Sequence, residues 1–496
     1  MVDRSPTGEL LLGNAFPAAT LSRMRAAGDV TKLATGVHVR GGGLPVEKLA
    51  RHHVWAIAEH YWPGAVITDR SSAGEIVDGV LFLAHPAPPR RADIALPGVT
   101  ISCRVGPGPL AGDTPFLTCE HLYLAGTARG LVENLATTGR PPKGRPRRAA
   151  GPIEVGNQID ALARRDGEAR VRNAFAELDV IAGSLDPGRV AEVRRLFRGV
   201  LGTGPTGAIA SPLLAARLSG QPYDEHRLGL FRTLAATMKR TAPEVRPALG
   251  DLSRWEWLPF FEAYFSNYIE GTVFTIDEAR EIAIDGKIPA TRPQDAHDIS
   301  ATYLLVHSVQ EMQRVPQTGA ELLDLLVERH SVLMAARPGK RPGQFKKLPN
   351  SAGGYEFVHP GAVQGTLLEG FKILDEVSDP FHRAVMMMFL VAECHPFDDG
   401  NGRLARIMMN AELVSTGQVR VVIPSVYRGN YLAALSGMSN QAGAGESLIS
   451  CLDYTRHWVA SIDWAEWSRA RRDLDASNAT LDSAIAEQTG QRLRLP

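Results

Sequence analysis

AVMMMFLVA, residues 384–392, runs through Glu393 and Cys394 into HPFDDGNGRLAR, residues 395–406. The first string is apolar on every side, which predicts a helix buried all round at the centre of its domain. Pro396 stops the helical pattern, and Asp399, Gly400, Asn401 and Gly402 are residue types that favour turns and positive backbone angles. From Arg403 onward, Leu404, Ile407, Met408 and Ala411 recur at i, i+3, i+4 and i+7, the spacing of a helix with one buried face. The expected order is helix, tight loop, helix, with Gly402 near a helix N-terminus.

Unpaired amides and the helix dipole at such a terminus attract anions, and glycines let a phosphate approach the backbone. Arg403 and Arg406, three residues apart, project from neighbouring positions and can reach the same anion. Asp399 is a hard oxygen ligand suited to Mg2+ shared with phosphate oxygens. His395 titrates near neutrality and can take a proton from an incoming hydroxyl. Each residue alone is more often structural. Their conjunction within twelve positions is equipment for handling a triphosphate.

The string matches H-x-F-x-[D/E]-G-N-G-R-x-x-R at every specified position, and in this the chain resembles the Fic (filamentation induced by cyclic AMP) family. The resemblance implies a mainly α fold: a helical Fic core with a β-hairpin flap, preceded by an α+β, winged-helix-like regulatory module. It implies a protein adenylyltransferase that uses ATP and Mg2+ to place AMP on a Ser, Thr or Tyr hydroxyl of a target protein and on itself, releasing pyrophosphate. In that scheme His395 is the general base and Asp399 the metal ligand. Gly400, Asn401 and Gly402 cradle the phosphates, Arg403 and Arg406 clamp the β- and γ-phosphates, and Phe397 anchors the loop. Rivals on the same scaffold are UMP transfer, phosphocholine transfer and removal of AMP. A rival of another class is a DNA-binding regulator or antitoxin-like protein whose core only senses nucleotide.

A second motif lies upstream. WEWLPFFEAYFSNYI, residues 255–269, is aromatic-rich and predicts a helix after Pro259, with Gly271 placed to end it and Thr275 opening the next helix in a capping box. Glu270 is then the last acid of a helix, where the dipole opposes its charge, and it requires a cation. Ser266, Glu270 and Gly271 are similar to the family's inhibitory motif, which implies that Glu270 pairs with Arg406 and blocks seating of the γ-phosphate.

PGQFKKLPNSAGGYEFV, residues 342–358, alternates Tyr355 and Phe357 about Glu356 as a short strand does. By resemblance, Tyr355, Phe357 and Val358 belong to the flap that aligns a target segment by strand addition. Tyr427, Arg428, Asn430 and Tyr431 fall where the family often lines its base pocket, and Tyr431 is assigned to nucleotide binding.

The 496 residues suffice for two to four domains. Lys and Arg total 54 against 54 Asp and Glu, so no global field steers the chain to nucleic acid or membrane. Cys103, Cys119, Cys394 and Cys451 lack metal-site spacing and a disulfide framework. With no signal-type or membrane-spanning apolar run, a soluble cytoplasmic protein without a membrane partner is expected. Its oligomeric state stays open to a homo-oligomer.

The expected organisation is a winged helix-turn-helix-like domain over 1–50, an α+β antitoxin-like regulatory domain over 51–185 with an exposed basic linker at 140–148, a Fic domain over 190–470 that includes an inhibitory helix at 255–271, and a charged tail at 471–496. In the first, Ala18–Ala27 predicts a short helix exposing Arg23 and Arg25, and LATGVHVR, residues 33–40, a strand-turn-strand wing. This part is similar to antitoxin and regulator components of abortive-infection toxin–antitoxin pairs, on GVHV at 36–39 and ITDRSSA at 67–73. The likeness implies a DNA partner, with a protein-interaction scaffold as the other reading. GTGPTG, residues 202–207, has dinucleotide-site spacing but follows a helical pattern where a strand is needed, and reads as a connector.

Overall fold

A computed structural model describes residues 7–13, 16–41, 43–87, 92–117, 119–136, 145–204, 207–248, 252–440 and 445–496. The chain is mainly α and divides into two compact units, Met1–Gly220 and Gln221–Pro496.

The first unit holds β1 (Glu9–Leu12), α1 (Ala18–Ala26), β2 (Val30–Ala34), β3 (Val37–Arg40) and α2 (Val46–Tyr61). Next come β4 (Ala65–Ile67), β5 (Val80–His85), β6 (Asp93–Leu96), β7 (Val99–Val105), β8 (Thr114–Pro115) and β9 (Leu122–Leu124). It ends in α3 (Thr127–Asn134), α4 (Pro152–Ile181), α5 (Pro187–Val200) and α6 (Pro212–Leu218). Its strands form a three-stranded sheet, β1-β3-β2, and a mixed six-stranded sheet, β6-β7-β5-β4-β9-β8. Leu49, Val54 and Ile57 of α2 share a core with Leu81, Leu83 and Ile101 of the larger sheet.

Three expectations change here. The helix of the winged module forms, but among the described residues it is followed directly by β2 and not by a second helix, so no helix-turn-helix exists. Gly28, at φ +78°, ends α1, and Val30 and Thr31 enter the sheet, as β-branched residues favour. Within the basic segment 140–148, positions 140–144 lie outside the described residues; of the rest, Arg145 and Arg147 are exposed as expected, while Arg148 is partly buried. Arg145 pairs with Asp93 at 2.5 Å, and Arg148 bonds Asp69 at 2.8 Å and the Ser102 carbonyl at 2.9 Å. Finally, α5 and α6 pack Val193, Phe197 and Leu214 against Leu131 of α3 and Val155 and Leu178 of α4, so the compact core starts after Gly220 and not near 190.

The second unit contains α7 (Glu225–Met238), α8 (Leu258–Ile269), α9 (Ile276–Ala283), α10 (Pro293–His307), α11 (Val309–Met312) and α12 (Gly319–Leu333). A hairpin of β10 (Ser351–Ala352) and β11 (Tyr355–Glu356) precedes α13 (Val363–Asp375), α14 (Pro380–Cys394) and α15 (Asn401–Ser415). Beyond them lie α16 (Arg428–Asn440), α17 (Gly445–Ser461), α18 (Trp467–Ala476) and α19 (Ser483–Thr489). Every residue of α14 from Ala384 to Cys394 is buried, as its all-round apolar character requires. The aromatic helix α8 lies between two clusters: Ala263 and Ile269 join the α14–α15 core, while Phe260, Phe261 and Phe265 face Trp458 and Trp464. The expected C-terminal tail is folded back, because Leu474, Ala479, Ala486 and Leu493 bury themselves in that second cluster.

The four cysteines are free and buried. Among the described residues, no helix is long and apolar enough to cross a membrane.

Candidate active site

His395 caps the C-terminus of α14 in the left-handed region, φ +47° and ψ +60°, which turns the chain out of the buried helix into the loop. Its Nδ1 lies 3.2 Å from the Ala392 carbonyl. A carbonyl only accepts, so Nδ1 carries the proton and Nε2 keeps a lone pair that can accept one. Burial lowers the His395 pKa to about 4, with the Ala392 bond acting against this and the Lys346 charge adding to it. The ring is therefore neutral at physiological pH.

The loop that follows is stapled from within. Asn401 accepts from the Phe397 amide at 2.9 Å and donates to the Phe397 carbonyl at 2.9 Å. Phe397 is sandwiched between His330, centroids 3.7 Å apart, and Phe345, 5.2 Å apart. His330 accepts from the Gly343 amide at 2.9 Å and so donates through Nε2 to the Asp399 carbonyl at 3.1 Å; burial holds its pKa down at about 4. Gly400 sits at φ +74° with Met334 Sδ 2.8 Å from where a Cβ would stand, so both conformation and space require glycine. No side chain caps α15 at Gly400, which leaves the first amides of the helix for a ligand. The side chain of Asn401 closes the loop, so a phosphate could meet only its backbone.

Arg403 and Arg406 are both buried and both taken by carboxylates, on different helices. Arg403 meets Asp298 of α10 at 3.0 Å and Asn267 of α8 at 3.4 Å, while its Nε is buried without a partner among the described residues. Asp298 is shared with Arg337, at 2.8 Å. Arg406 donates to Ser266 Oγ at 3.0 Å, to the Ser266 carbonyl at 2.9 Å and to Glu270 Oε1 at 2.7 Å. Burial works against the charge of Arg406, yet Glu270 and Tyr431 outweigh it and its pKa is raised. A Cβ on Gly402 would collide with Glu270 Oε1, so this carboxylate covers the first turn of α15. Glu270 is the C-cap of α8, followed by Gly271 at φ +88°, and Thr275 and Glu278 form the capping box of α9.

Asp399 is half-exposed; one oxygen accepts the Gly400 amide at 2.7 Å and the other lies 3.9 Å from Lys340. Neighbouring Asp398 is tied to Arg341 through both oxygens at 2.8 Å. Among the described residues no three His, Cys, Asp or Glu side chains cluster as a metal site. Asp399 fits Mg2+ in the mode where one carboxylate acts together with substrate phosphates.

The hairpin presents its rings inward. Tyr355 bonds Glu393 and Arg227 and lies 3.3 Å from the Ser439 carbonyl, Phe357 stacks on His395, and Val358 is fully buried. Tyr431 is buried beside Arg406, with its hydroxyl 3.5 Å from Met388 Sδ. Sequence reasoning missed Asn267, Asp298, Lys346, Asn350, Glu393 and Arg227. Lys346 donates to Asn350 at 2.6 Å and to the Cys394 carbonyl at 3.3 Å, and burial lowers its pKa to about 8. Of the missed residues, Glu393 carried a signal, a charged residue directly after the apolar run Ala384–Ala392.

Residues 321–413 match the Fic/DOC family. "Protein adenylyltransferase Fic" of Drosophila willistoni is 28% identical over 257 residues, covering 49% of this chain and 49% of that protein. Its namesake in Drosophila ananassae is 30% identical over 220 residues, covering 41% and 42%. The chain thus spans about half the length of these relatives or less. A Fic-domain-containing signalling protein from Bacteroides thetaiotaomicron is similar to 47% of this chain over 96% of its own, at 21% identity and a TM-score of 0.36. The matched segment holds His395 to Arg406, and it is this segment that is similar to the Fic/DOC family.

Proposed function

We propose that the protein is an autoinhibited protein adenylyltransferase that moves AMP from ATP to a hydroxyl side chain of a target protein and to itself. The observation that carries this reading is the Glu270 carboxylate, 2.7 Å from Arg406 and lying over Gly402 at the start of α15. A carboxylate there occupies ground suited to a terminal phosphate. The names of the Drosophila relatives support AMP as the group transferred.

In the reaction, Nε2 of His395 takes the proton of the target hydroxyl, the hydroxyl oxygen bonds to the α-phosphorus, and the bond to the β-phosphate oxygen breaks to release pyrophosphate. Asp399 would hold Mg2+, which when bound neutralises developing charge on the phosphates. The amides of Asn401 to Arg403 would receive the phosphates, and Arg406, once released by Glu270, the γ-phosphate. Tyr355 to Val358 would offer a strand edge to the target.

The test is incubation of wild type and Glu270→Gly with ATP labelled at the α- or at the γ-phosphate. Protein labelling from the α-position alone, stronger in the variant, is expected, with a mass increase of one AMP. Labelling from the γ-position would indicate another phosphate transfer, and loss of AMP from a pre-modified target would indicate removal. A second reading concerns the first unit, where Arg23 and Arg25 of α1 are exposed. These two cations favour a nucleic-acid partner. Binding of the full chain to duplex DNA that weakens steeply with salt is the expected result; no binding at low salt rejects it.

A further inference from the structure

Both ends of the β10–β11 hairpin hold the catalytic loop. Before β10, Asn350 donates to the Phe397 carbonyl at 3.0 Å and lies 3.5 Å from the His395 carbonyl, and the Lys346 amide donates to the Pro396 carbonyl at 2.9 Å. After β11, the Phe357 ring lies face to face with the His395 imidazole, centroids 3.8 Å apart and planes 7° apart. The Phe357 amide closes the circuit by donating to the Asn350 carbonyl at 3.1 Å.

The imidazole has two rotations to fix before its lone pair has a direction. The Nδ1 bond to the Ala392 carbonyl restrains the ring by one edge, and stacking restrains its plane while leaving the Nε2 edge open. Phe357 is itself braced: the Tyr355 ring meets it edge-on at 5.7 Å, and the Tyr355 hydroxyl is anchored to Glu393 and Arg227, which pair with each other at 2.7 Å. Tyr355 and Phe357 share a strand face because they are two residues apart.

We propose that Phe357 is a positioning residue that sets the ring plane of His395, so that the strand edge which would receive a target and the base that deprotonates it move as one unit. The inference rests on the adenylyltransferase reading. In that reading the sequence assigned Phe357 to the target; here it acts on the base. A target strand adding to β10 or β11 would adjust Phe357, and through it the direction of Nε2.

The test uses the full chain carrying Glu270→Gly, with Phe357→Leu, which keeps bulk but loses the aromatic face, and Phe357→Tyr, which keeps the face. Stacking shifts the His395 ring protons upfield in the NMR spectrum, assigned by their loss in His395→Ala. That shift should vanish in Phe357→Leu and persist in Phe357→Tyr. For AMP transfer, kcat should fall about 10- to 100-fold in Phe357→Leu, as misplaced reacting groups do, with KM for ATP unchanged and Phe357→Tyr restoring the rate. Unchanged ring-proton shifts in Phe357→Leu would overturn the stack whether or not any transfer is seen. Lost shifts with an unchanged kcat, or a Tyr variant as slow as Leu, would overturn the positioning role. If the parent protein transfers no AMP while the shifts behave as expected, the adenylyltransferase reading fails, and the positioning role in transfer fails with it.

Discussion

Arg403 and Arg406 stand one turn apart on α15, are equally hidden from solvent, and each meets a carboxylate, yet their surroundings differ in kind. The partner of Arg403, Asp298, is 2% exposed, so this pair is enclosed; Asp298 also binds Arg337, which is 22% exposed and reaches Asp295 at 2.9 Å. The partner of Arg406, Glu270, keeps 31% of its side chain exposed at a helix end. Opening the first pair leaves buried charge uncompensated, which costs about 3–5 kcal/mol. Opening the second leaves Arg406 still bonded to Ser266, and a phosphate can replace the carboxylate. A buried ion pair thus fixes structure when both members are enclosed, and can serve as a latch when one member stands at a wet helix terminus.

The largest effect should come from removing the base once the latch is open. In Glu270→Gly, adding His395→Ala should cut AMP transfer by about 10²–10⁴-fold, with ATP binding unchanged by calorimetry. Retained transfer in the double variant would end the general-base assignment. Next, Asp298→Ala should lower stability by about 3–5 kcal/mol in a denaturant titration and leave the protein no more active. If Asp298→Ala activates as Glu270→Gly does, the two arginine sites are not distinct.

Glu270→Gly should cost only about 1–3 kcal/mol while raising self-modification at equal ATP and Mg2+. Glu270→Gln should activate too, because it removes the charge that holds Arg406. Arg406→Ala, by contrast, should lower ATP affinity without activation, since latch and clamp are lost together. Equal labelling by wild type and Glu270→Gly would reduce Ser266–Gly271 to an ordinary helix end.

The smallest effect concerns pH. With its pKa lowered from 6.5 to about 4, His395 is unprotonated above about 4, and loss of the Glu270 charge lowers it further, so transfer by Glu270→Gly should show no acid limb above about 4. Between pH 6.5 and 4 the unfolded chain binds a proton at this position that the folded chain does not, so stability falls as pH falls through the window. His395→Gln should flatten that slope, read as denaturation midpoints at pH 7 and 5. An acid limb of transfer near pH 6.5 would mean that the imidazole is not held neutral.

The helices and their ends were legible where the determinants are close in the chain. All-round apolarity gave α14, glycine ended α1 at Gly28 and α8 at Gly271, and Thr275 with Glu278 opened α9. The alternation about Glu356 gave β11. The first unit was read less well, because one helix and two strands suit more than one architecture, and the pairing of β1 with β3 joins residues about thirty apart. The tail was misread for a related reason: its charges are local, while the contacts that bury Leu474 and Leu493 come from residues far away in sequence.

The sequence by itself determined the order helix, loop, helix around His395, and it determined the chemical types present there, because periodicity, turn preference and capping act over a few residues. The pairing of Glu270 with Arg406 entered as an expectation from the family likeness and not from spacing, since 136 positions separate them. The tertiary structure alone decided that Asp298 takes Arg403, that Asn401 spends its side chain on Phe397, and that Phe357 lies on His395 and not out toward solvent. Those choices depend on which surfaces meet when distant helices pack, and no local rule carries that information.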